Sequence, residues 1–146
     1  MATTKQIKAA IKAVLDATGQ LGSVYTVDVE RIERPQPAYV TMWHDGGSQT
    51  PEAGTTVERT TRLLVRLITP RPPVGTNSVD SLAALQEAHD DNVDLCLEAL
   101  RAAPTLDTGS GPLVLSCMVE SWDVKFNDAE KRMDSEFVVV VTRQEG

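Results

Sequence analysis

The residues best suited to chemistry in this chain are His44 and Asp45, in the stretch TMWHDGG, and their types point to imidazole–carboxylate work. A histidine beside a carboxylate can act as a general base or as half of a metal site. Either use needs more: a nucleophile in reach of the ring, or further His, Cys or carboxylate ligands at metal spacing. The sequence supplies neither, so His44 reads as a strand-end residue ahead of a loop. The other histidine, His89, falls on the apolar side of a helix and reads as a hydrogen-bonded, semi-buried side chain rather than a ligand. Cys96 and Cys117 lie far apart, one on a helix face and one inside a strand, which fits two buried free thiols better than a disulfide or a metal site. GGSQTPEAG has no lysine and no phosphate-loop spacing, and the GSG at 109–111 precedes a strand, the wrong context for a dinucleotide fingerprint. No catalytic, cofactor or metal residue is therefore assigned, and enzyme activity is not supported.

The totals exclude other classes. The length of 146 residues suits one ordinary domain, and 41% hydrophobic with 24% charged residues is the balance of a soluble globular protein. No apolar run approaches the ~20 residues of a membrane span. The N-terminal stretch is interrupted by Lys5, Lys8 and Lys12, so it reads as a helix rather than a signal peptide, and the chain as cytoplasmic when made. A net charge of −7 argues against coating nucleic acid, which takes clustered lysine and arginine.

Thr3 with Gln6 can form a capping box for a helix over 4–17, and Ile7, Ala10, Ile11, Val14 and Leu15 repeat at helical spacing. Strands are expected at 23–33, 38–44 and 56–69. Residues 46–55 read as a flexible loop that orders only against a partner. A second helix spans 79–102. Its apolar stripe is Leu82, Leu85, His89, Val93, Cys96, Leu97 and Leu100, with Glu87, Asp90, Asp91, Asp94 and Glu98 on the opposite side. Those carboxylates suit a solvated outer face first, and second a charged wall facing a channel or a basic partner. A strand hairpin over 112–143 closes the chain. In its first arm the apolar parity switches, from Leu113, Leu115, Cys117 and Val119 to Trp122, Val124 and Phe126, which suggests a bulge, a bend, or a strand end that leaves the sheet. The whole reads as an α+β fold, a mixed or antiparallel sheet of about five strands with two helices on one face.

The hairpin's second arm contains four consecutive valines, Val138 to Val141, close to the C-terminus. Both faces of such a strand are apolar, so both need cover. The helices account for one; the other calls for a folded-over sheet or a neighbouring subunit, which puts Val138 and Val140 among the candidate interface residues. Trp43, Trp122 and Phe126 join them, since aromatics concentrate at interface centres. Arg62 and Arg66, on the non-core side of their strand, read first as ordinary surface residues and second as interface anchors.

The N-terminal helix followed by ERIERPQPAYV, the long TTRLLVRLI strand, the amphipathic helix and the closing EKRMDSEFVVVVTR hairpin resemble the small tail terminator, or tail completion, proteins of long-tailed bacteriophages. The resemblance covers nearly the whole chain as a pattern of elements. It implies an α+β protomer that closes into a ring, usually a hexamer, capping the tail tube and presenting a surface for head attachment. The partners it implies are other copies of the chain, the major tail tube protein and head–tail connector proteins. DNA would be passing cargo only. It implies no cofactor, no membrane and no catalytic residues, and a place in the virion after assembly in the host cytoplasm. The acidic helix would then supply a lumen wall that repels DNA. A head-completion or neck connector protein that binds the portal is the alternative of the same class. A small ligand-binding or enzymatic domain using a pocket near His44 is the alternative of another class.

Overall fold

The computed structural model describes residues 2–26, 38–51, 57–70 and 79–145. Among them the elements are α1 (Thr4–Asp16), β1 (Tyr39–Pro51), β2 (Val57–Thr69), α2 (Val79–Arg101), β3 (Ser116–Trp122), β4 (Lys125–Asn127) and β5 (Arg132–Glu145). The fold is α+β: two helices and an antiparallel sheet in the order β1-β2-β5-β3, with β4 continuing the β3 edge of β5.

α1 starts where its capping box dictates. The Thr3 hydroxyl accepts from the Gln6 amide at 3.1 Å, and the Gln6 side chain accepts from the Thr3 amide at 2.9 Å. Its buried residues are Ile7, Ala10, Ile11 and Leu15, one face of the helix. The strand expected at 23–33 lies mostly outside the described residues; its start makes only a parallel bridge from Val24 to Val40.

The expected loop at 46–55 is corrected in its first half. Residues 46–51 are strand, and β1 pairs with β2 all the way to Pro51 opposite Val57. The glycines that suggest flexibility serve a bulge between His44 and Gly47 instead. Gly46 has φ of 101°, and a Cβ on Gly47 would sit 2.0 Å from the Thr60 carbonyl oxygen. Only glycine lets the two backbones approach this closely.

Register puts the core on one face of the sheet, because residues directly opposite on antiparallel strands share a face. One row reads Met42–Val65–Phe137, and the next Leu63–Val139–Val119. These side chains join Ile7, Ile11 and Leu15 of α1 and Val93, Cys96 and Leu100 of α2 in one buried cluster. Leu82 departs from the expected stripe: it is exposed, one turn before the buried Leu85. Arg143, buried on β5, donates to the Ala2 carbonyl and to Thr4 Oγ1 at 3.4 Å, tying the entry of α1 to the last strand.

The parity switch in β3 is a bulge between Val119 and Ser121. One extra residue, Glu120, shifts the phase by one, which corrects the expected facing of two residues. Trp122 stands opposite Phe137 and Phe126 opposite Met133, on the helix side with Cys117 and Val119 rather than on the other face.

Candidate interaction surfaces

Each group that could do chemistry is disposed of by its surroundings. His44 is exposed beside a polar hollow of about 360 Å³ lined by Ser48, Gln49, Arg59 and Thr60, with no acid or thiol in its wall among the described residues. His89 is buried and held on both ring nitrogens. Nδ1 lies 2.7 Å from Thr69 Oγ1 and Nε2 lies 2.8 Å from Ser135 Oγ. The Asn92 amide donates to the same Thr69 oxygen at 3.2 Å. A serine–histidine pair at this distance has the geometry of a nucleophile and its base. Here both are shut off from solvent by α2, β2 and β5, so the triad of hydroxyls and imidazole is a core network. Burial lowers the His89 pKa from its ordinary value, although the Asp90 and Asp134 carboxylates pull it back up. Cys96 and Cys117 are free and buried, and burial pushes both thiols up to about 12, leaving them protonated and inert. Among the described residues no group of three His, Cys, Asp or Glu side chains could hold a metal, and no helix is long and apolar enough to cross a membrane.

What remains is surface. On α2, Glu87, Asp90, Asp91, Asp94 and Glu98 are all exposed, on the side away from Leu85, Val93 and Leu100. The helix thus presents a carboxylate stripe and buries its apolar one.

The sheet face opposite the helices carries the second surface. Its central row is Trp43–Leu64–Val138, flanked by Arg62–Val140–Met118 on one side and Thr41–Arg66–Glu136 on the other. Leu64, Val138 and Val140 are half-buried, while Trp43 is 56% exposed and Met118 60%. The charges on this face are paired within the chain: Arg62 with Glu120 at 3.4 Å and Arg66 with Glu136 at 3.7 Å. Trp43, Leu64, Arg66 and Glu136 enclose a shallow cavity of about 220 Å³.

The third surface is the β3–β4 edge, to which no further strand pairs among the described residues. Leu115, Met118, Trp122, Val124 and Phe126 are all exposed along it. Trp122 also closes an apolar hollow of about 400 Å³ at the seam with Leu97, Leu100 and Val119. The kink between the two strands is clamped by Asp123, which accepts from the Glu136 amide at 2.9 Å, while its own amide donates to the Glu136 carbonyl at 3.3 Å. Burial alone would raise the Asp123 carboxyl; that amide and Lys125, 3.0 Å away, outweigh it and hold the pKa below the usual value.

The structure therefore brings Trp43, Arg62, Arg66, Val138 and Val140 together on one sheet face, and sets Trp122 and Phe126 along the edge with the five acidic residues on the helix side. Leu115, Met118 and Val124 are not among the interface residues expected from the sequence. Only the position of β3 at the sheet edge, which no local pattern records, exposes them.

No family model matches the chain, and no curated protein matches its sequence. Among solved structures, a chain from the virion of a native gene transfer agent particle is similar over 95% of this chain and 95% of its own, with a TM-score of 0.56 and 15% sequence identity. At that identity the likeness is one of fold.

Proposed function

We propose that the chain is a structural protein of a phage-like virion, and that it forms a ring which caps the tail tube, ends tube polymerisation and joins tail to head. The observation that carries the reading is the end-to-end likeness of fold to a chain of a gene transfer agent virion. The surfaces agree with it. Among the described residues His89 and both cysteines are locked in the core, and the surfaces offered outward are a carboxylate stripe, a partly open sheet face and an apolar edge. The residue pattern shared with tail terminators favours the tube end of the particle. In this reading Trp43, Arg62, Arg66, Trp122, Phe126, Val138 and Val140 meet neighbouring subunits or the tube. Glu87, Asp90, Asp91, Asp94 and Glu98 line the channel and keep passing DNA off the wall by like charge. The partners are other copies in a hexameric ring, the major tail tube protein and connector proteins of the head side, and the chain moves from host cytoplasm into the virion as it assembles.

Light scattering on a size-exclusion column, with the chain alone and with purified tail tube protein, tests this. The expected result is a ring, alone or on the tube, and tubes that stop growing once it is added. A chain that stays monomeric and leaves tube length unchanged would sink the tube-end role. Binding to portal protein in the same assay would move it to the head side of the neck. The ligand-binding alternative makes a separate prediction: His44→Ala would abolish function while leaving assembly intact. Unchanged infectivity of that variant removes it.

A further inference from the structure

The polar hollow beside His44 is built on one end of the helix-side face of the sheet. Register sets His44 opposite Leu63, Gly47 opposite Thr61 and Val141, and Gln49 opposite Arg59 and Arg143. Leu63 and Val141 belong to the core under the helices, so the residues in line with them stand on that side too. There Thr4, from the first turn of α1, completes the wall. Gly47 carries no side chain, which leaves room between His44 and Gln49 for the hollow of about 360 Å³. Arg59 and Arg143 are direct cross-strand neighbours, an arrangement that like charges ordinarily make destabilising. The positive end of the α1 dipole lies beside them, with no acidic residue in its first turn. The acids next to the site in sequence do not enter the wall. Asp45 sits in the bulge outside the paired register, and Glu58 faces the other side of the sheet with Thr50 and Gln144. A chain of net charge −7 thus gathers positive groups in one place.

We infer that this hollow binds a phosphate-type oxyanion, either free phosphate or a phosphodiester of a nucleic-acid backbone. Its guanidinium groups are held in place before any ligand arrives. Nε and Nη2 of Arg59 donate to Gln49 Oε1 at 3.3 and 3.2 Å. Arg143, 5% exposed, donates to the Ala2 carbonyl and, at 3.4 Å, to Thr4 Oγ1. Side chains fixed in this way lose little further freedom when they capture a ligand. Guanidinium forks meet phosphate oxygens two at a time, and such charge-assisted bonds are the strong ones. The hydroxyls of Thr4 and Thr61 and the His44 ring line the same wall. Donors converging from β1, β2, β5 and α1 suit a tetrahedral anion better than a planar carboxylate, whose two oxygens a single fork satisfies. The site is independent of the virion reading, and neither needs the other.

Titration of the full chain with sodium phosphate at neutral pH tests this, followed by proton–nitrogen correlation NMR. Sodium chloride keeps the ionic strength constant, so that screening does not change. The amides of Thr4, Gly47, Gln49, Arg59 and Thr61 should shift along one saturable curve, while those of β3 and β4 stay still. Arg59→Gln, at a half-buried position, should weaken binding at least about 10-fold, the usual loss for one hydrogen-bonded charge. Arg62→Gln removes an equal charge from the other face of the same strand and should leave binding unchanged. Circular dichroism checks that both variants keep the fold. A short DNA duplex is the second arm. If it shifts the same amides and phosphate displaces it, the site takes a phosphodiester; phosphate binding without an effect of the duplex assigns the site to the free anion. No saturable shift with either probe overturns the inference and leaves the virion reading standing. An Arg59→Gln chain that binds like the wild type, or equal weakening by Arg59→Gln and Arg62→Gln, does the same. Saturable phosphate binding by a chain that neither forms rings nor touches tubes overturns the virion reading alone.

Discussion

His89 bridges Thr69 and Ser135 with both ring nitrogens, and one of the two must accept for both bonds to hold in the neutral ring. This makes stability pH-dependent. Its folded pKa lies below the ordinary histidine value of about 6.5, so above that pH both states are neutral and the ring has no effect. As pH falls below about 6.5 the unfolded chain takes up a proton that the folded chain resists, and stability declines by up to ~1.4 kcal/mol per pH unit until the folded pKa is reached. Urea unfolding at pH 7.5 and 5.5 should show this loss in the wild type and a smaller one in His89→Gln. Gly47→Ala is expected to cost at least about 2 kcal/mol, since its Cβ would meet backbone only 2.0 Å away; thermal unfolding measures it. His89 on an apolar helix face was legible in the sequence as a hydrogen-bonded residue. Its partners were not, because Ser135 lies 46 positions away and register alone brings it near.

At the scale of elements, the valine run separates two kinds of surface. Val139 is fully buried under the helices, and Val138 is half-buried on the other face. In the monomer Val139→Ala should cost ~2–3 kcal/mol, and Val138→Ala less than about 1, by chemical denaturation. If Val138 meets a neighbour, its substitution weakens assembly out of proportion to its effect on the monomer. The α2 stripe behaves differently. Asp90→Lys, Asp91→Lys and Asp94→Lys together should leave the melting temperature nearly unchanged, because all three are exposed. If the stripe lines a channel, infectivity falls while the ring still forms. Both helices were readable from their 3.6-residue stripes and the α1 cap. The extension of β1 through Gly46 and Gly47 was not: glycine is the same letter in a flexible loop and in a bulge, and only the close approach of Thr60 tells them apart.

Among the described residues, α2 exposes a stripe of carboxylates, while the sheet face and the β3–β4 edge expose hydrophobic side chains beside ion pairs made within the chain. An assembly driven through the edge should therefore tolerate salt. Raising sodium chloride from about 0.05 to about 0.5 M shortens the screening length to a few ångströms and weakens the repulsion between negatively charged copies. Sedimentation velocity should show association unchanged or strengthened. An assembly held by ion pairs between subunits would dissociate instead.

The sequence by itself determined the α+β class, the two amphipathic helices, the buried thiols, the side of α2 that carries the carboxylates and the double-sided apolarity of the last strand. All of these follow from local periodicity and from the cost of leaving apolar groups in water. Only the tertiary structure decided the strand order β1-β2-β5-β3, and with it which strand became an edge. Pairing is settled by contacts between residues far apart in the chain. A residue such as Met118 is core in a central strand and surface at an edge, with nothing in its neighbours to say which.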